Sequence, residues 1–121
     1  MQTDEFAERL IRVRNRFASA LTGKIEDSFA AIPKLSSDDN ASIEAIVVTH
    51  RRLHEMCGIA PTLGFEATGK AARAAESVVR VPAKTRRPLT PDEVESFKSE
   101  LVGLRAAAQS ELQSIDNSGM N

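Results

Sequence analysis

Apolar residues recur every three or four positions along most of the 121-residue chain. That spacing places side chains on one face of an α-helix. The first such series is the longest, and its members are Phe6, Leu10, Val13, Phe17, Leu21, Ile25, Phe29 and Ile32. It predicts a first helix over residues 4–32 whose apolar face lies in the core, with Pro33 ending it.

Turn-forming residues divide the rest of the chain into further helical stretches. A second helix is predicted over residues 41–60, after a connector rich in Ser, Asp and Asn and with Pro61 marking its end. A third, alanine-rich helix is predicted over residues 66–79. Segment 81–89 contains two prolines and is predicted to be a loop. Four basic residues are expected to be solvated there: Arg80, Lys84, Arg86 and Arg87.

The start of the fourth helix has the clearest local signal in the chain. Thr90 can cap a helix, Pro91 suits the first helical position, and Glu93 can complete a capping box. The apolar series that follows is Val94, Phe97, Leu101, Leu104, Ala108, Leu112 and Ile115. The polar tail, residues 116–121, is expected to fray.

Four amphipathic helices with mostly short connections predict an all-α fold, an antiparallel four-helix bundle. A length of 121 residues fits one domain with one core, so residues 1–121 are expected to form a single unit. The first helix is long enough to extend past the bundle.

Composition narrows the classes of function. A formal net charge of −1 offers no basis for binding nucleic acid. No apolar run approaches the roughly 18 residues of a membrane span, and the acidic, amphipathic N-terminus is unlike a secretory signal. A single cysteine excludes an intrachain disulfide. A cytoplasmic protein without a membrane partner is therefore expected.

Both histidines of the protein lie on the predicted second helix, one turn apart. At about 100° per residue, the apolar side chains cluster in one arc. Its members are Ile46, Thr49, Leu53, Met56 and Ala60. His54 lies about 120° from the centre of that arc, and His50 about 80°. His54 is therefore predicted to be the more exposed histidine, with His50 at the core boundary.

Gly58 lies one turn beyond His54 on the same outer face. Glycine inside a helix costs about 1 kcal/mol, and one use for it is to clear space around a neighbouring side chain. Ile43 and Val47 fall within about 20° of His54 on the helical wheel. An exposed imidazole, a bare backbone patch and two apolar side chains predict a docking surface.

Residues 54–65 resemble the phospho-acceptor helix of histidine phosphotransfer (HPt) domains. That family has a histidine, an apolar residue two positions later, and glycines four and ten positions later. His54, Met56, Gly58 and Gly64 fit this pattern. In the following helix, the family's small residues and later acidic position are matched by Ala71, Ala72, Ala75 and Glu76.

The resemblance implies a phosphorelay function. An aspartyl phosphate on a response-regulator receiver domain would transfer its phosphoryl group to the neutral imidazole of His54, and a second receiver would take it. A hybrid histidine kinase is a further implied partner. The protein would need no cofactor of its own, because the receiver carries the Mg²⁺. The residues expected to dock the partner are Ile43, Val47, Arg51, Gly58 and Gly64.

The chain departs from the family pattern at three positions. Many members have a lysine three residues after the histidine, where this chain has Cys57, so a phosphate-stabilising cation is missing. Arg51, one turn before His54, is a candidate substitute. Ile59 replaces a usually smaller residue, and Pro61 is expected to distort the last turn of the helix.

Two alternative functions stay open. One is a pseudo-HPt module that binds a receiver or kinase without carrying phosphate. The other is a metal-binding bundle that uses His50, His54 and Cys57, although three ligands from one helix leave a zinc shell incomplete. In the plainest interpretation, His54 is an ordinary surface histidine, His50 is bonded locally, and Cys57 packs as a small half-buried residue.

Overall fold

The computed structural model describes residues 2–119 and the side-chain surroundings of residues 4–115. Its helices are α1 (Gln2–Ala31), α2 (Asn40–Ile59), α3 (Glu66–Thr85) and α4 (Pro91–Gly119). Single 3₁₀ turns at Ile32–Lys34 and Pro61–Leu63 follow α1 and α2. No strand occurs within residues 2–119, which confirms the all-α prediction. In the same range, no helix has the length and apolarity needed to cross a bilayer.

The four helices pack together, and α3 has the most extensive contacts. It packs against α2 on one side and α4 on the other, while α1 contacts mainly α4. The largest fully buried side chains are Leu21, Ile25, Leu35, Ile46, Leu53, Phe65, Val79, Phe97, Leu101 and Leu104. On α3 the buried positions include Ala72 and Ala75, whose small side chains let neighbouring helices approach closely.

The N-terminal half of α1 differs from the prediction, because its apolar face is not in the core. Phe6 is 65 % exposed, and Leu10 and Val13 are exposed as well. The stripe joins the core only from Phe17 onward. With 30 residues α1 is about 45 Å long, and its first turns lie outside the core.

The predicted loop over residues 81–89 is wrong for its first part. Helix α3 continues to Thr85 with the buried Pro82 inside it, so Arg80 is a helical residue rather than a loop residue. Arg86, the C-cap residue that follows α3, has a left-handed φ of 54°. The last turn of α3 closes when the Arg87 backbone N–H donates to the Pro82 carbonyl at 3.0 Å.

The corner between α2 and α3 depends on two glycines. Gly64 adopts a left-handed φ of 91°, which glycine accepts without a steric penalty. The Phe65 backbone N–H then donates to the Ala60 carbonyl at 2.8 Å. A Cβ added to Gly69 would lie 2.6 Å from Cγ of Pro61, so only glycine allows α3 to pass this close. Because α2 ends before Pro61, that proline begins the 3₁₀ turn instead of distorting the helix.

Polar side chains at the N-termini of α2 and α4 cap these two helices. The predicted capping box is confirmed: the Glu93 N–H donates to Thr90 Oγ1 at 3.1 Å, and the Thr90 N–H donates to Glu93 Oε1 at 2.9 Å. Asp39 accepts the Ser42 N–H at 2.7 Å at the start of α2. The backbone of α4 is helical as far as Gly119. The side chains of residues 116–121, where fraying was predicted, lie outside the described residues.

Helix α3 takes its cap from a distant part of the chain. Phe65 occupies its N-cap position and has no capping side-chain bond. Glu111 of α4 supplies the missing acceptor: Oε1 accepts the Thr68 N–H at 2.7 Å, and Oε2 accepts the Ala67 N–H at 3.2 Å. A carboxylate at a helix N-terminus satisfies free N–H groups and complements the helix dipole. This contact ties α4 to the first turn of α3.

Candidate functional site

The two histidines of α2 differ in exposure as predicted. The His54 side chain is 69 % exposed, and that of His50 is 27 % exposed. Their rings stack with centroids 5.9 Å apart and planes at 21°. The apolar arc of α2 is buried as expected: its members are Ile46, Thr49, Leu53, Met56 and Ala60. His54 therefore offers its ring to solvent while His50 lies at the boundary of the core.

A buried carboxylate on α3 faces both imidazoles. The Glu76 side chain is only 4 % exposed. Its Oε1 lies 3.1 Å from Nε2 of His50, within hydrogen-bonding distance, and 3.5 Å from Nδ1 of His54. Since a carboxylate only accepts, a neutral His50 must carry its proton on Nε2 to make this bond. Oε1 of Glu76 thus lies close to the imidazole rings of both His50 and His54.

Arg80, one turn after Glu76 on α3, completes the cluster. Its Nη2 donates to Oε2 of Glu76 at 2.6 Å, and its Nε donates to Oε1 at 3.2 Å. These hydrogen bonds hold the pKa of the Glu76 carboxyl below its ordinary value, against the opposing effect of burial. The His50 bond lowers that pKa further. Glu76 is therefore a carboxylate at neutral pH, paired with a half-exposed guanidinium.

Cys57 takes no part in the exposed cluster. Its side chain belongs to the buried core, and its thiol donates to the His54 backbone carbonyl at 3.2 Å. Burial raises the pKa of the thiol, which keeps it protonated. This position, where many HPt domains carry a lysine, contributes neither a cation nor an exposed nucleophile.

The predicted docking residues are spread around the exposed side of α2 and the corner after it. Gly58 is exposed, and a Cβ added there would meet no atom within 4 Å. Arg51 and Gly64 are also exposed. Ile43 and Val47 are only partly exposed, and Ile43 packs against the core. The open backbone patch thus lies one turn from His54, with less apolar surface beside it than the helical wheel indicated.

Sequence reasoning missed Arg80 as a member of the site. The presence of Pro82 led to a predicted loop, whereas the helix continues and keeps Arg80 one turn from Glu76. A signal for the cluster does exist in the chain. His50 and His54 are four residues apart, and so are Glu76 and Arg80, which is the spacing that aligns side chains on one helix face.

The described residues do not assemble a metal site. No group of three or more His, Cys, Asp or Glu side chains among them has an arrangement that could hold a metal ion. The alternative ligand set fails at Cys57, whose thiol faces the backbone of its own helix. Glu76, the carboxylate that approaches both rings, is already paired with Arg80.

Comparison with known proteins adds no relative to this picture. No family model matches the chain, and no curated protein or solved structure is significantly similar to it. The features that indicate a function are the motif around His54 and the four-residue cluster formed by His50, His54, Glu76 and Arg80.

Proposed function

We propose that this protein is a phosphorelay histidine phosphotransfer protein with an HPt-like, antiparallel four-helix bundle, and that His54 is its phospho-acceptor. One observation carries the proposal. His54 presents an exposed imidazole on α2 while its Nδ1 faces the buried carboxylate of Glu76 at 3.5 Å. An ordinary surface histidine needs no such partner.

The orientation of the ring selects the reacting nitrogen. A proton on Nδ1 faces Glu76 favourably, whereas a lone pair there would face a negative charge. The tautomer with the proton on Nδ1 leaves the Nε2 lone pair available. Nε2 would attack the phosphorus of a receiver's aspartyl phosphate, the N–P bond would form, and the P–O bond would break with its electron pair leaving on the aspartate. Mg²⁺ on the receiver would neutralise charge on the phosphoryl oxygens.

The buried carboxylate also suits the product. Attack through Nε2 leaves the ring with a positive charge while Nδ1 keeps its proton. Glu76, held ionised by Arg80, places a negative charge beside that proton. The Arg80 guanidinium lies in the same cluster and is half-exposed, so it brings a cation to a site where Cys57 supplies none. These charges support reversible storage of a phosphoryl group on His54.

Access for a partner is supported by the surface beside His54. Gly58 leaves open space one turn further along α2. A receiver domain must bring its phosphoaspartate within bonding distance of Nε2, and a bulky side chain at this position would obstruct the approach. The proposed docking surface consists of Ile43, Val47, Arg51, Gly58 and Gly64.

The test compares three proteins: wild type, His50→Gln and His54→Gln. Each is mixed with a panel of receiver domains phosphorylated with labelled phosphate, and acid-labile label on this chain is followed. Labelling is expected to survive the His50 change and to vanish with the His54 change. If His54→Gln, folded by circular dichroism, is labelled normally, the proposal is wrong.

A second candidate is a pseudo-HPt module that binds receivers but carries no phosphate. The buried Cys57, in place of the family's lysine, favours it. The same experiment separates the two functions when receiver binding is measured in parallel. Binding without any labelling of the wild-type protein would support the pseudo-HPt module and refute the phospho-acceptor.

A further inference from the structure

Three nitrogen atoms approach Oε1 of Glu76, one each from His50, His54 and Arg80. Oε1 has two lone pairs. Two donors already lie within ordinary hydrogen-bonding distance of it, His50 Nε2 at 3.1 Å and Arg80 Nε at 3.2 Å. In the Nδ1–H tautomer proposed above, His54 would be a third donor, but its Nδ1 lies 3.5 Å from Oε1, beyond the usual range for N–H···O bonds.

The three donors are not equally replaceable. Arg80 holds Glu76 through both oxygens, with its shorter bond of 2.6 Å on Oε2. It also supplies the positive charge that balances the buried carboxylate. His50 contacts Glu76 only through Oε1. It lies on the same helix as His54, and the two imidazole rings stack. His50 is therefore the donor whose removal would free a lone pair for His54.

From this geometry we infer that His50 is a positioning residue that competes with His54 for Oε1 of Glu76. The inference rests on the proposed function of His54. His50 keeps the Glu76–His54 contact long, which limits how strongly the carboxylate stabilises the Nδ1–H tautomer and the positive ring formed on phosphorylation. A relay histidine must release its phosphoryl group as well as accept it. The competition weakens one interaction that would otherwise trap the group on His54.

Two variants separate the effect of the His50 N–H donor from the effect of its aromatic ring. His50→Phe keeps an aromatic ring beside His54 but removes the N–H, whereas His50→Gln keeps an N–H donor near the position of Nε2. Since the protein has 2 histidines, His54 is the sole imidazole in either variant. Its tautomer can therefore be measured without overlap by ¹⁵N–¹H correlation NMR at about pH 9, where imidazoles are ordinarily neutral.

The Nδ1–H fraction of His54 is expected to be higher in His50→Phe than in His50→Gln. Adding Glu76→Gln to each variant should remove the difference, because the contested acceptor is then a neutral amide. Equal fractions in the two single variants, or a lower fraction in His50→Phe, would overturn the inference. A merely structural role for His50 does not predict a gain of this tautomer.

The consequence for phosphate storage is tested by incubating each variant with a labelled phospho-receiver until the label is distributed between the two proteins. At that equilibrium the level of phospho-His54 in His50→Phe should exceed that in His50→Gln by roughly threefold, the size of a modest net hydrogen bond. Phosphoramidate, a small donor that needs no docking surface, is used in parallel to show that His54 can be phosphorylated in each variant. Equal levels in the two variants would also overturn the inference. If neither variant nor the wild type is labelled, the proposed function fails, while the tautomer comparison still decides whether His50 and His54 compete.

Discussion

Arg80 donates hydrogen bonds to both carboxylate oxygens of Glu76, from Nη2 to Oε2 at 2.6 Å and from Nε to Oε1 at 3.2 Å. The pair spans one turn of α3, so the buried charge is neutralised by its own helix. This arrangement leaves Oε1 directed at α2, where the two histidines approach it. The packing of α2 against α3 and the proposed chemistry of His54 therefore depend on the same side chain.

Replacing Glu76 by Gln is expected to lower the free energy of unfolding by about 2 kcal/mol at pH 7, because hydrogen bonds to a charged partner are lost in a buried position. The pKa of Glu76 is lowered in the folded protein, so its contribution is present above the ordinary carboxyl pKa and is lost as pH falls through the folded value. Urea denaturation at several pH values measures this.

The variant should accordingly show a shallower loss of stability in acid than the wild type. Glu55→Gln is the matched control, because Glu55 is an exposed glutamate on α2. If the Glu76 and Glu55 variants show the same stability at pH 7, the buried pair contributes nothing measurable.

Gly58→Arg is expected to slow phosphotransfer from a receiver at least tenfold while leaving labelling by phosphoramidate unchanged, since about 1.4 kcal/mol of lost docking corresponds to a factor of ten. The fold should persist, because a side chain at this position meets open space. Gly103→Arg, an equally open glycine of α4, is the control and should leave both rates unchanged. Receiver transfer at the wild-type rate in Gly58→Arg would show that the partner does not approach over this patch.

Glu93 is expected to give the fold a second source of acid sensitivity. The hydrogen bonds from Arg87, together with the capping contacts to Thr90, lower the pKa of Glu93 to about 2. Its stabilisation is therefore complete above the ordinary carboxyl pKa of about 4.3 and is lost as pH falls toward 2.

Glu93→Gln should reduce the free energy of unfolding by about 1 kcal/mol at pH 7, because the charged pair with Arg87 is lost while the amide can still accept the Thr90 N–H, and by less at lower pH. Thermal unfolding from pH 7 to pH 3 checks the trend. An effect that stays constant over this range would mean that the charge of Glu93 does not matter.

Arg86→Gly is expected to raise the free energy of unfolding by about 1 kcal/mol, because Arg86 adopts a left-handed backbone conformation that glycine occupies without strain. The exposed contact between Arg86 and Glu44, 3.5 Å long, would be lost at little cost. Thr85→Gly, one residue earlier and still helical, is the control and should destabilise the protein. Destabilisation by Arg86→Gly would contradict the proposed strain.

The capping box of α4 and the buried and exposed faces of α2 could be predicted from the sequence, because each depends on neighbours within a turn or two. The capping box at Thr90 and Glu93 formed as its residues indicated. The helical wheel of α2 placed Leu53 in the core, His54 outside and His50 between them. Helical periodicity converts directly into angles around an axis, so burial along one helix follows once a core face is known.

Tertiary structure alone decided which residues meet across helices. Phe6 belongs to a regular apolar stripe, yet it is 65 % exposed, because periodicity indicates an apolar face and not which helix packs against it. Glu111 caps α3 from 43 residues away at Thr68. Glu76 meets His50 from 26 residues away. Contacts of this kind depend on how whole helices pack. The spacing of residues along one helix carries no information about the distance or the crossing angle between two helices.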